Sequence, residues 1–306
     1  MNRISMKEAR ALMWGIPERR FPLKMKPEIP GVTRWWTKSK SATWDPVSAI
    51  PWDAVSAERY TEEQRYAGRL FWSRRAWQEY TGISESPIVL LRMTLEGMRD
   101  TDAKFLLAAK TMDEAKHCEA CYMMAEKLGG YIDEPDPAVF KGQLVAGMRA
   151  KALNPNLSVD ALVAGWHCVF EGCAFAMLAA KHKRSTNPAA KEILRLICQD
   201  EVRHVQFGWD YLDHRVPQLS PDEIKEIERF VIEVIVDVEL TGFHSSTPVS
   251  DAPEVKSVDT ICAEAGLGGC PPEDEQQALR EAMREIRERM RPWGVQVPKF
   301  AELGEV

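Results

Sequence analysis

Asp113-Glu114-Ala115-Lys116-His117 and Asp200-Glu201-Val202-Arg203-His204 decide how this chain is read. Both stretches follow the pattern Asp-Glu-x-x-His with a basic residue at the same place, and Glu114 and Glu201 stand 87 positions apart. Each lies inside a long run of helical pattern and is flanked by apolar residues. On an α-helix, residues three apart fall about 60° apart around the axis and one turn along it. Glu114 and His117 therefore point to one side, as do Glu201 and His204. A carboxylate and an imidazole so placed grip one metal ion together. Two such helices facing each other supply two Glu–His pairs, and hence two metals. Histidine accounts for only 6 of 306 residues, so two at matching places in a repeated motif carry weight.

Outward from these motifs the chain reads as a succession of helices. Thr61-Glu62-Glu63-Gln64 is a capping box, opening a helix that runs past Pro87 to about Met98. The first motif sits in a helix over 100–128 that stops at Gly129-Gly130. A shorter helix covers 137–152, and long ones cover 157–184 and 188–214, the last carrying the second motif. Ser220-Pro221 opens another, to about 241, with proline suited to the first turn. Residues 245–272 read as an irregular Pro/Gly/Ser-rich connection, and 273–291 as a highly charged helix facing solvent or a partner. The first 60 residues hold Trp14, Trp35, Trp36, Trp44 and Trp52, five of the ten tryptophans, with prolines at 17, 22, 27, 30, 46 and 51. Proline at that density breaks long helices, so this segment reads as an extended arm with short helical pieces, packed by its aromatic anchors. There is no strand alternation, dinucleotide or phosphate-loop glycine motif, or nucleophile elbow.

Two metals need further anions to bridge them and balance charge, and the other long helices should each bury one. In 157–184 only Glu171 lies within the apolar run Trp166–Ala180. In the first long helix Glu79 is preferred to Glu85, which sits beside Pro87. Four Glu and two His then converge from four helices: Glu79, Glu114, His117, Glu171, Glu201 and His204. Oxygen-rich ligands with imidazole suit iron or manganese and leave positions open for dioxygen. Four carboxylates carry four negative charges, which neutralise two divalent ions. His167, four residues before Glu171, reads as a neighbour of the ligands or a third histidine ligand. Cys121, one turn beyond His117, and Phe175, one turn beyond Glu171, are expected to line a pocket.

The chain carries 40 basic and 46 acidic residues, for a net charge of −6. That balance argues against a nucleic-acid partner, since phosphate neutralisation needs concentrated Lys and Arg. No stretch approaches 18 uncharged apolar residues, so no membrane span is expected, and the amino terminus is too charged for a signal peptide. Seven cysteines in an odd, scattered set imply reduced thiols and a cytoplasmic protein.

At the ligand residues the sequence resembles the ferritin-like di-iron carboxylate superfamily, over roughly 61–215. Glu79-Tyr80-Thr81-Gly82-Ile83, Asp113 to Tyr122, and Phe170-Glu171-Gly172-Cys173 are similar to the hydroxylase α-subunits of soluble multicomponent monooxygenases. The chain length and one-subunit layout resemble the R2 group and its R2-like ligand-binding oxidases. The resemblance implies an all-α fold: a ferritin-like four-helix bundle over 61–243, an N-terminal arm over 1–60, and a C-terminal loop and charged helix over 244–306. It also implies two Fe, or a Mn/Fe pair, with O2 as co-substrate, and chemistry carried by Glu114, Glu171 and Glu201 through the metals. Asp113 and Asp200 resemble acceptors for the imidazole N–H of the opposite motif, with Lys116 and Arg203 placed to neutralise them. The chain departs from its relatives in two places. Phe175 stands where the monooxygenases carry Thr, and Cys121 where a radical-forming R2 carries Tyr. The activity implied is O2-dependent oxidation of a small organic substrate, with electrons from a donor such as a ferredoxin and its reductase. An R2-like ligand-binding oxidase and a non-catalytic iron-binding protein are the alternatives, and a homodimer is compatible with each.

Overall fold

The computed structural model describes residues 27–95, 100–133, 147–245 and 253–305, with the side chains of 85, 149 and 253–256 outside the description. Among the described residues every regular element is a helix. A short helix, α1 (Pro30–Ser39), precedes the four long ones of the bundle: α2 (Glu62–Leu95), α3 (Thr101–Lys127), α4 (Val159–Arg184) and α5 (Pro188–Arg215). α2 packs along α3 and α4 along α5, and the two pairs meet through α3 and α5. The all-α four-helix bundle is thus present. Most of residues 137–152, the end of the first helix near Met98, and residues 1–26 with Trp14 lie outside the described residues.

Local chemistry explains where the long helices begin and end. The Thr61–Gln64 capping box is formed: Gln64 N donates to Thr61 Oγ1 at 3.2 Å and Thr61 N to Gln64 Oε1 at 3.1 Å. Asp100 caps α3 by accepting from Ala103 N at 2.7 Å. Its other oxygen accepts from Glu28 N and Ile29 N at 2.9 and 3.1 Å, so one side chain starts a core helix and pins the arm. α3 stops where Gly129 and Gly130 adopt φ of +122° and +124°, which a side chain would resist. α5 starts at Asn187, whose Oδ1 accepts from Ala189 N and Ala190 N at 3.0 and 3.1 Å.

α4 departs from the expected helix in its winding. Ala164–Phe170 forms a π-helical stretch immediately before Glu171. α4 is also long and apolar enough to match a membrane span by composition, yet 83% of that window is buried inside the bundle. Its burial against α5 accounts for the apolar character.

From residue 27 onward the first segment lies against the bundle. α1 packs on α3 and α5, and Trp35 Nε1 donates to Asp210 Oδ2 on α5 at 2.7 Å. The C-terminal part needs two corrections. α6 (Pro221–Val234) is followed, inside the stretch read as irregular, by α7 (Pro253–Glu264). α7 is helical because Val258 and Cys262, one turn apart, bury against the α2 side of the bundle with Leu267. The charged helix α8 (Pro272–Met290) is not solvated all round: Glu275, Leu279, Met283, Ile286 and Met290 are buried. Their spacing of three or four residues makes an apolar stripe, and it packs on α4. Glu275 is ion-paired inside with Lys181 at 3.0 Å, and its Oε2 accepts from Ser245 Oγ at 2.9 Å.

Candidate metal centre

The six side chains converge between the four long helices, all buried. Glu79 comes from α2, Glu114 and His117 from α3, Glu171 from α4, and Glu201 and His204 from α5. Ligand atoms of Glu79, Glu114, His117 and Glu201 lie within 4.8 Å of one another, as do those of Glu114, Glu171, Glu201 and His204. Glu114 and Glu201 belong to both groups, and their oxygens divide accordingly. Glu201 Oε1 is 3.5 Å from His117 Nδ1 and Oε2 is 3.1 Å from His204 Nδ1. Glu114 Oε2 is 3.9 Å from His117 Nδ1 and Oε1 is 3.6 Å from His204 Nδ1. Glu79 Oε2 approaches His117 Nδ1 at 3.3 Å, and Glu171 Oε2 approaches His204 Nδ1 at 3.9 Å.

The outer nitrogen of each imidazole meets the aspartate of the opposite motif. His117 Nε2 is 3.2 Å from Asp200 Oδ2, and His204 Nε2 is 3.4 Å from Asp113 Oδ2. An ionised carboxylate only accepts, so each Nε2 carries the proton and each Nδ1 turns inward. Lys116 bridges the two aspartates at 2.7 and 3.5 Å, and Arg203 bridges them at 2.9 and 2.5 Å. Burial alone would raise the Asp113 carboxyl, but the His204 hydrogen bond, Arg203 and Lys116 hold it below the usual range. Burial and the Lys110 ammonium oppose protonation of His204, yet Glu201 and Asp113 push it up to about 9. Trp44, read from sequence only as a packing anchor, joins this layer: its Nε1 donates to Asp200 Oδ2 at 2.8 Å and its ring stacks on His117 at 6.2 Å.

Sequence reasoning missed two cations inside the cluster. Arg75 pairs with Glu79 Oε1, and Lys110 pairs with Glu114 Oε1 and lies 2.9 Å from Glu171 Oε1. Each precedes its glutamate by four residues on the same helix face, a signal that was legible. Burial acts to lower the Lys110 ammonium, but Glu114, Glu171 and Glu201 hold it above the ordinary lysine range. The four carboxylates therefore do not stand alone, and the simple charge match to two divalent ions is corrected: half of it is already met by Arg75 and Lys110.

His167 is turned by the π-helical stretch. Five residues before Glu171, Trp166 donates Nε1 to Glu171 Oε1 at 2.9 Å, the spacing that π-helical winding brings together. His167 instead directs Nδ1 to the His204 carbonyl at 3.1 Å, and burial pulls it down to about 3. It belongs to neither ligand group, so it supports His204 through the backbone.

The expected pocket residues lie elsewhere. A cavity of about 30 Å³ abuts the cluster, and Gln78, Gly82, Phe170, Ala174, Phe243 and His244 complete its walls. Past Glu171 the residue facing this cavity is Ala174, three on, and not Phe175. Phe175 lines a separate groove of about 430 Å³ between α4, α5 and α8, where none of the six cluster residues contributes. Cys121 is fully buried among Ala120, Met124 and Ile197, and burial pushes its thiol up to about 12.

No family model and no curated protein matches the chain. Solved structures do. A variant of an R2-like ligand-binding oxidase with an anaerobically reconstituted Mn/Fe cofactor is similar over 89% of this chain and 99% of its own, with a TM-score of 0.67 and 14% identity. A second variant, aerobically reconstituted with Mn/Fe, matches over 89% and 98% at a TM-score of 0.66 and 15% identity. An R2-like ligand-binding oxidase with an aerobically reconstituted Mn/Fe cofactor, after a long soak, matches over 86% and 93% at 0.65 and 14%. The fold is that of the R2-like ligand-binding oxidases.

Within this R2-like fold the donor set passes a chemical test for metal. Both Nδ1 atoms face carboxylate oxygens at 3.1–3.9 Å, an arrangement that needs positive charge between them, a proton on the imidazole or a metal ion in its place. Two imidazoles, four carboxylates and a hydrogen-bonded outer layer suit a pair of first-row divalent ions.

Proposed function

We propose that this chain is an R2-like di-metal oxidase, holding two iron ions or a manganese–iron pair and using dioxygen to oxidise a small organic molecule. The observation that carries the reading is the pair of inward-facing Nδ1 atoms, each set against carboxylates shared between two ligand groups. Glu79, Glu114, His117 and Glu201 hold one ion, and Glu114, Glu171, Glu201 and His204 the other. When bound, the metal pair supplies the electrons that dioxygen needs to be reduced.

The chain's own residues do the rest. Asp113 and Asp200 retain the Nε2 protons, which fixes both tautomers and raises ligand basicity. Arg75 and Trp166 orient Glu79 and Glu171 by holding their outer oxygens. Phe170 and Phe243 form apolar walls of a cavity of about 30 Å³ beside the cluster, room for a molecule of water or dioxygen size. The R2-like ligand-binding oxidases carry a Mn/Fe cofactor, which favours a mixed pair here as the alternative to two irons. Repeated oxygenation would draw electrons from a donor such as a ferredoxin with its reductase. The seven unpaired cysteines support a reducing, cytoplasmic setting.

Metal content tests the reading. The purified full chain, loaded anaerobically with Fe(II) alone or with Mn(II) and Fe(II), should bind two ions and then consume dioxygen. Glu114→Ala removes one of the two ligands common to both positions and should abolish two-metal binding with helicity retained by circular dichroism. Two ions per chain in that variant would refute the ligand set. Dioxygen uptake sustained by reductant and an added organic substrate separates an oxygenase from a protein that only stores iron.

A further inference from the structure

Arg75 and Lys110 are both cations against candidate ligands, but they touch different faces of the cluster. Arg75 takes Glu79 Oε1, and leaves Oε2 directed at His117 Nδ1 at 3.3 Å. It stands behind its glutamate. Lys110 takes Glu114 Oε1, the oxygen that faces His204 Nδ1 at 3.6 Å, and reaches Glu171 Oε1 at 2.9 Å. It stands inside the second ligand group, on two of its three carboxylates. Its side chain is 2% exposed, so water does little to screen the ammonium. A divalent ion bound by Glu114, Glu171, Glu201 and His204 meets that positive charge at short range, and Coulomb repulsion there is strong. An ion among Glu79, Glu114, His117 and Glu201 meets Glu114 through Oε2, the oxygen Lys110 leaves free.

Resting on the two-metal reading above, we propose that Lys110 makes the two metal positions unequal: its ammonium holds the Glu114 oxygen that the second position needs, so the first position fills before the second, which fills only as Lys110 moves off Glu114. Lys110 is a positioning residue that sets the order of metal loading. A lysine side chain suits this role, because four rotatable bonds let the ammonium swing away where a planar, forked guanidinium is held in place. Ordered loading also gives a chain with two similar ligand sets a way to accept two different metals.

The test is stepwise titration of the full chain with Co(II) under anaerobic conditions, read by visible absorption and chelator competition. The wild type should bind two ions, the second at least about tenfold more weakly than the first. Lys110→Met, an unbranched side chain one atom shorter and without charge, should tighten the second step about tenfold or more and leave the first within about threefold. Lys110→Arg, which keeps the charge, should leave the second step weak. Lys110→Gln provides a second neutral variant, with folding checked by circular dichroism. Two equal constants in the wild type, or an unchanged or weakened second step in both neutral variants, overturn this inference and leave the metal centre standing. A wild type that binds fewer than two ions overturns the two-metal reading and the inference with it.

Discussion

A methyl group added at Gly82 would stand 2.6 Å from Glu114 Oε2 and 2.8 Å from its Cδ, well inside van der Waals contact. The bare α2 backbone is what lets the shared carboxylate of α3 lie flat against it. Gly82→Ala should therefore displace Glu114 and weaken metal binding. Overpacking of about 1–3 kcal/mol corresponds to roughly five- to 150-fold in affinity. Chelator competition measures this directly, and wild-type constants in the variant would mean that Glu114 is not a shared ligand. The same residue-level logic explains the inner cations. A carboxylate buried without a partner is costly. Glu79 and Glu114 each find a base one turn earlier on their own helix, whereas Glu171 takes the Trp166 indole from its own helix and the Lys110 ammonium from α3.

At the scale of the element, α8 shows how charge density misleads. Its sequence is dominated by Glu and Arg, yet its stripe of Leu279, Met283, Ile286 and Met290 is buried against α4. Met283→Ala should cost about 2–5 kcal/mol, as expected for a fully buried side chain, and lower the thermal midpoint. Glu288→Ala, on the exposed face, should stay within about 0.5 kcal/mol. Similar midpoints for the two variants would show that α8 does not pack as a core element. α4 makes the complementary point. An all-round apolar run such as Ala164–Phe170 leaves its winding open, and here π-helical turns re-aim Trp166 and His167 just ahead of Glu171.

For the molecule as a whole, the seven cysteines report on closure of the core. Burial pushes the Cys118 thiol up to about 11 and Cys121 and Cys198 up to about 12. Cys168, Cys173, Cys262 and Cys270 are raised as well, burial being the chief cause. A raised thiol pKa lowers the reactive thiolate fraction at any pH below it. At pH 8 a thiol titrating near 11 is about one part in a thousand ionised. Native protein should thus react slowly with a thiol reagent at pH 8, speed up about tenfold per pH unit toward pH 10, and expose all seven thiols promptly in denaturant. Fast labelling of two or more thiols in the native state would contradict this packing.

The sequence by itself determined the helical class, the ends of the long helices through Thr61, Gly129 and Gly130, and the six converging side chains. Each of those rests on short-range geometry: a cap reaches two or three residues, and Glu-x-x-His spans one turn. Only the tertiary structure decided that Lys110 sits between Glu114 and Glu171, that Trp44 reaches Asp200 from the arm, that His167 turns to a backbone carbonyl, and that Phe175 lies on another groove. Those outcomes depend on how far each helix is rotated and slid against its neighbours. Rotation and sliding are set by packing across the whole core, over distances at which sequence spacing carries no information.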